Sequence, residues 1–168
     1  MIEKKIYSPI LIGILVLFGL HLTSLHSYLL FHSIVEMFSI VVACGIFMLA
    51  WNARRFLENT YLLFLGIAYL FVGGLDLIHT LAYTGMGVFE GYGTNLPTQL
   101  WIATRYVESL SLLIAPLLLA RRLKMNIVFL GYVSVTSLLL ASIFYWKLFQ
   151  TCFIEGIGLT PFKKISEY

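Results

Sequence analysis

Residues 60–81 read TYLLFLGIAYLFVGGLDLIHTL. As a helix rising 1.5 Å per residue, this run is long enough to cross a hydrocarbon core of about 30 Å. Near its end it carries an aspartate, Asp76, and a histidine, His79. An ionised side chain near the bilayer centre costs about 2.5–3.5 kcal/mol on insertion scales. The reading of this stretch decides the fold. It predicts a membrane helix whose two polar residues, three apart, share one face and turn away from lipid.

The rest of the chain supports that class. Of its 168 residues, 60% are hydrophobic and 11% charged, and the mean hydropathy is +0.93. Four more apolar runs of spanning length flank the quoted one, so the pattern predicts five spans in an all-α, polytopic transmembrane helix bundle. They are Ser8–Leu25, His32–Ala53, Thr60–Leu81, Thr98–Leu119 and Asn126–Trp146. Connections are short except Tyr83–Pro97, a glycine-rich stretch that reads as a true loop. Lys4 and Lys5 ahead of the first span resemble a signal peptide, but no small-residue cleavage pattern follows, so this span is read as retained. Length argues for one domain over residues 1–168.

Charge placement sets an orientation. Lys4, Lys5, Arg54, Arg55, Arg121, Arg122 and Lys124 fall on one side, and only Lys147, Lys163 and Lys164 on the other. By the positive-inside rule the N-terminus is cytoplasmic. Trp51, Trp101 and Trp146 lie near predicted span ends, as interfacial anchors do. The net charge of +3 forms no basic stripe, which excludes a nucleic-acid partner. Cys44 and Cys152 have no zinc or redox spacing and read as two unpaired thiols.

Six ionisable residues fall in the outer halves of three spans. His32 and Glu36 open the second, Asp76 and His79 close the third, and Arg105 and Glu108 lie in the fourth. The corresponding inner halves carry none. With the histidines neutral, three carboxylates and one guanidinium leave a formal charge of −2. The expectation is an inward-facing cluster that answers to protons or cations. For each pair alone, a plain structural role competes. Arg105 and Glu108 read as a packing salt bridge, and His79 as the partner of a backbone carbonyl. Gln99 and Trp101 at the mouth of the fourth span are candidate ligand contacts. Asn95 or Thr98 is a candidate cap, Pro116 a candidate kink, and Gly66, Gly73 and Gly74 read as close-packing positions. If a metal binds, His32, Glu36, Asp76 and His79 supply mixed nitrogen and oxygen donors. If haem binds, His32 and His79 are its axial ligands. A proton or ion pathway would need polar groups in the inner halves, where almost none exist. No serine–histidine dyad, HExxH or phosphate loop is present, so the chain does not read as an enzyme.

The segments LFHSIVEMFSIVVA (30–43), LFVGGLDLIHTLAYTGMGVF (70–89), NLPTQLWIATRYVESLSLLIAP (95–116) and GLTPFKKISEY (158–168) carry a resemblance. From about residue 28 onward the chain resembles the membrane-associated sensor domain MASE3. That resemblance implies an N-terminal membrane sensor preceding PAS, histidine kinase or diguanylate cyclase modules in bacterial and archaeal signalling proteins. The matching residues are His32, Glu36, Asp76, His79, Tyr83, Gly85, Met86, Asn95, Thr98, Gln99, Trp101, Arg105 and Glu108. They imply a ligand site of His32, Glu36, Asp76, His79, Tyr83, Gln99, Trp101, Arg105 and Glu108. Thr84 departs from the pattern, which leads one to expect lysine there. The pattern also implies further helices after GLTPFKKISEY and a separate output module. A homodimer is expected for the full-length protein.

Overall fold

The computed structural model describes residues 3–56, 60–119 and 123–167. Arg121 and Arg122, used above for orientation, lie outside the described residues. Five helices among those described are long and apolar enough to cross a membrane. They are α1 (Glu3–His26), α2 (Tyr28–Ala53), α3 (Tyr61–Ala82), α4 (Asn95–Ile114) and α5 (Met125–Phe144). The chain is a multi-pass helical membrane domain. It divides into two compact units, Met1–Met37 and Phe38–Tyr168.

In the first unit, α1 gives way to α2 at Ser27. The Ser27 hydroxyl accepts from the Leu30 N–H at 3.3 Å and so caps the new helix. Both helices expose leucine, isoleucine and phenylalanine along their length. Those side chains are soluble only in lipid, as expected of membrane spans.

In the second unit, α3 packs along both α4 and α5. One apolar cluster joins Leu96, Leu100 and Ala103 of α4 to Ile143 of α5, with Ile78 and Ala82 of α3 against them. Val72, Leu75 and Val107 form the middle. At the opposite end, Leu63 and Ile67 meet Ala50 of α2, and Phe64 meets Ala115 and Leu118. Two glycines let α2 and α3 approach. A Cβ on Gly66 would stand 2.5 Å from that of Ala50, and one on Gly73 would stand 3.1 Å from that of Ala43. Small residues serve membrane helices this way because dispersion contact must replace the hydrophobic drive. Gly74 faces open space and has no such role.

Three sequence expectations need correction. Helix α4 begins at Asn95, three residues before the expected start. Pro97 therefore lies in its first turn, where a missing N–H costs nothing. Neither expected cap operates: the Asn95 side chain is used elsewhere, and the Thr98 hydroxyl donates to the Thr94 carbonyl. Pro116 does not kink a continuing α-helix. The α-helix stops at Ile114 and a single 3-10 turn, Ala115–Leu118, finishes the span.

The largest departure is the tail after α5. The sequence there reads as a polar loop leading toward a further helix, yet it folds. Strands β1 (Phe153–Ile154) and β2 (Gly158–Leu159) form a small antiparallel hairpin. Helix α6 (Pro161–Glu167) follows, with Thr160 Oγ1 accepting from the Lys163 N–H at its start. Both β1 and α6 pack on α4.

Candidate functional site

Asp76 sits six residues before the end of α3 and is 3% exposed. Its carboxylate faces α4, where Arg105 occupies the third helical turn. Arg105 Nη2 donates to both Asp76 oxygens, at 2.8 and 2.9 Å. Arg105 Nη1 donates to Glu108 Oε2 at 2.6 Å. The same guanidinium thus ties two acids, one across the helix pair and one three residues along its own helix. Charge-assisted bonds of this kind are short and are about twice as strong as neutral ones. The other Glu108 oxygen accepts from the Tyr69 hydroxyl at 3.3 Å. Tyr69 precedes Asp76 by seven residues, two helical turns, which places both on the face of α3 that meets α4. Arg105 Nε is buried with no hydrogen-bond partner among the described residues.

His79 lies one turn beyond Asp76 and is also buried. Its Nδ1 is 2.8 Å from the Pro97 carbonyl oxygen. A carbonyl can only accept, so Nδ1 carries the proton and donates. The histidine therefore bonds α4 backbone as one of the sequence readings has it. That arrangement is also the one that orients Nε2 of a metal-binding imidazole. A cation at Asp76 would compete with the Arg105 bonds already made there. The Tyr83 ring meets the His79 ring edge-on at 6.4 Å between centroids.

In the first unit, His32 and Glu36 share one face of α2, with Nδ1 and Oε1 4.0 Å apart. Tyr28 stacks on the His32 ring at 6.3 Å. The structure thus brings Asp76, Arg105 and Glu108 into one network and pairs His32 with Glu36 in the other unit.

Gln99 and Trp101 face the tail rather than Asp76. Gln99 Nε2 donates to the carbonyls of Phe149 and Gln150 at 2.9 and 3.0 Å. Asn95 Oδ1 accepts from the N–H groups of Cys152 and Phe153 at 2.8 and 2.9 Å. The Trp101 ring lies under two cations. The Lys163 ammonium is 4.7 Å from the ring centroid and the Arg105 guanidinium 5.8 Å. Tyr106 shares a 2.6 Å hydrogen bond with Ser166. Between α4 and α6 runs a cavity of about 480 Å3, lined by Trp101, Arg105, Glu108 and Ser109 on one side and Ser166 and Glu167 on the other. Two members of the ion network, Arg105 and Glu108, thus stand in its wall. Both cysteines are free thiols. Cys152, in the tail, is fully buried. Burial pushes its pKa up to about 11, against a smaller downward pull from Lys163.

Residue-by-residue reading missed Tyr69 and Tyr106. Tyr69 was recoverable from its spacing to Asp76. Tyr106 was not, because its partner is sixty residues away in a segment with no helical periodicity.

No curated protein and no solved structure matches this chain. The sequence pattern of a family does, over residues 23–168. The match covers α2 to α6 and includes both units' polar pairs. The chain belongs to the MASE3 family, the membrane-associated sensor domains.

Proposed function

We propose that this domain senses a small polar molecule or cation for a signalling protein of the histidine kinase or diguanylate cyclase type, bacterial or archaeal. The N-terminus is cytoplasmic, and the Asp76–Arg105–Glu108 network opens to the cell exterior. The domain acts on downstream PAS, kinase or cyclase modules, catalysis belongs to the kinase or cyclase, and signalling takes place in a homodimer. The observation that carries this reading is the shared guanidinium: Arg105 joins an acid on α3 to one on α4 inside a membrane bundle. Apolar packing would join two helices at lower cost. An ion network at that depth is a site by default. Two acids on one arginine leave a negative surplus that a cation or a proton donor would meet.

A ligand binding beside Arg105 competes for its bonds and changes the preferred packing of α3 against α4. It acts only so far as it binds the two arrangements unequally. The His32–Glu36 pair on α2 serves the same response. The test is output from the protein joined to its kinase or cyclase module in proteoliposomes. His79→Ala and Glu36→Gln abolish the change in phosphorylation or cyclic dinucleotide synthesis while leaving membrane insertion intact. Unchanged output in both variants reduces these residues to packing.

A further inference from the structure

The tail is bound to one face of α4 by contacts made at Asn95, Gln99, Trp101 and Tyr106. None of these residues belongs to the helix–helix core between α3 and α4. Asn95 and Gln99 are one turn apart and hold the backbone of residues 149–153. Tyr106 holds α6 through Ser166. Between them sits Trp101, one turn from Arg105. Its ring is shared by the Arg105 guanidinium from the ion network and the Lys163 ammonium from the tail. The cavity beside them has α4 as one wall and α6 as the other.

We infer that the tail is a latch closed on α4, and that Trp101 couples the latch to the Asp76–Arg105 pair. The physical link is the ring face. The guanidinium stays near it while Asp76 holds both of its oxygens on Nη2. When that hold is lost, the guanidinium is free to move onto the ring face, where two like charges compete for one electron-rich surface and Lys163 is displaced. Lys163 then relies on Glu167 alone, a partner on the same short helix that does nothing to bind α6 to α4. The tail can thus read the state of the ion pair through the Trp101 ring. This deepens the sensor reading and rests on it for its meaning, but its test needs no ligand and no output module.

Cys152, a fully buried residue of the latch itself, reports its opening. The chain in lipid nanodiscs, with Cys44→Ala leaving one thiol, is treated with N-ethylmaleimide and followed by mass spectrometry. Asn95→Ala cuts the latch directly and speeds labelling of Cys152. Asp76→Asn touches only the ion pair, and it too speeds labelling, by about fivefold or more, the lower end of ordinary coupling between sites. Trp101→Leu speeds labelling and removes any further effect of Asp76→Asn, as coupled residues require. Ser111→Ala, deeper in α4, leaves the rate unchanged. Arg105→Lys gives the same direction as Asp76→Asn and guards against misfolding of a single variant, with helix content checked by circular dichroism. Wild-type labelling in both Asp76→Asn and Arg105→Lys, with faster labelling in Asn95→Ala, overturns the coupling. A wild-type rate in Asn95→Ala overturns the latch. Unchanged output of the joined protein in both His79→Ala and Glu36→Gln, with this labelling pattern intact, sinks the sensor reading instead.

Discussion

The two ends of the α3–α4 pair are held together by different physics. At the end where α3 begins, Leu63, Phe64 and Ile67 pack on Ala50, Ala115 and Leu118, and Gly66 lets α2 approach closely. At the other end the helices are joined by Arg105 between Asp76 and Glu108, and by His79 on the Pro97 carbonyl. The apolar end has one good arrangement, because a close-packed surface tolerates little displacement. The polar end is held by directional, charge-assisted bonds, whose partners a proton, an ion or a ligand could replace. On the sensor reading proposed above, the first end is the anchor and the second the part that responds.

The strongest challenge to this contrast is Arg105→Met. It leaves Asp76 buried and uncompensated. Breaking a fully buried pair costs about 3–5 kcal/mol, and the partial exposure of Arg105 brings the expected loss to about 2–3 kcal/mol. Thermal unfolding in nanodiscs measures it. A loss below that of a surface substitution would show that water, not the protein, satisfies Asp76. At the anchor end, Gly66→Ala forces a methyl against Ala50. Overpacking of this kind costs about 1–3 kcal/mol. This variant is expected to lose stability yet keep its response in the joined protein, the reverse of Asp76→Asn. Asp76→Asn removes the charge and one of the two oxygens that hold Arg105, and costs about 1 kcal/mol, the scale of one hydrogen bond. If both variants damage response in proportion to stability, the two ends do not differ in kind.

Smaller effects refine the picture. The Cys152 thiol is raised to about 11 from 9.0, so the folded state holds that proton more tightly than the unfolded chain. Its contribution is complete below about pH 9 and is lost as pH rises through about 11. Unfolding of wild type against Cys152→Ala over that window isolates it, and the wild-type curve should fall more steeply. Tyr132→Phe removes the hydroxyl that pairs with Ser111 at 2.6 Å between α5 and α4. Interhelical hydrogen bonds in membranes average about 0.6 kcal/mol, and that is the loss expected by the same unfolding assay.

The spans were legible because apolar length alone separates a membrane helix from anything else. Their ends were less so. Asn95, Leu96 and Pro97 read as loop, yet a proline in a first helical turn is unpenalised. Within the candidate site, Arg105 and Glu108 were legible from their spacing along one helix. The pairing of Arg105 with Asp76 required only that buried opposite charges meet. Gln99 and Trp101 read as ligand contacts because they are polar or aromatic at a helix mouth. Their partners in the structure are tail carbonyls and the Lys163 ammonium. The tail itself gave no periodic signal, since two-residue strands and a seven-residue helix are too short to show one.

The sequence by itself determined a helical membrane domain with its acids and imidazoles concentrated toward one end of the spans. That follows from local quantities, namely hydropathy over about twenty residues and the cost of charge in lipid. Only the tertiary structure decided that one guanidinium serves both Asp76 and Glu108 and that residues 148–167 close over α4. Those outcomes depend on side-chain direction and on contacts up to sixty residues apart. No local window of sequence contains that information, because such contacts form only when the packed helices bring distant segments together.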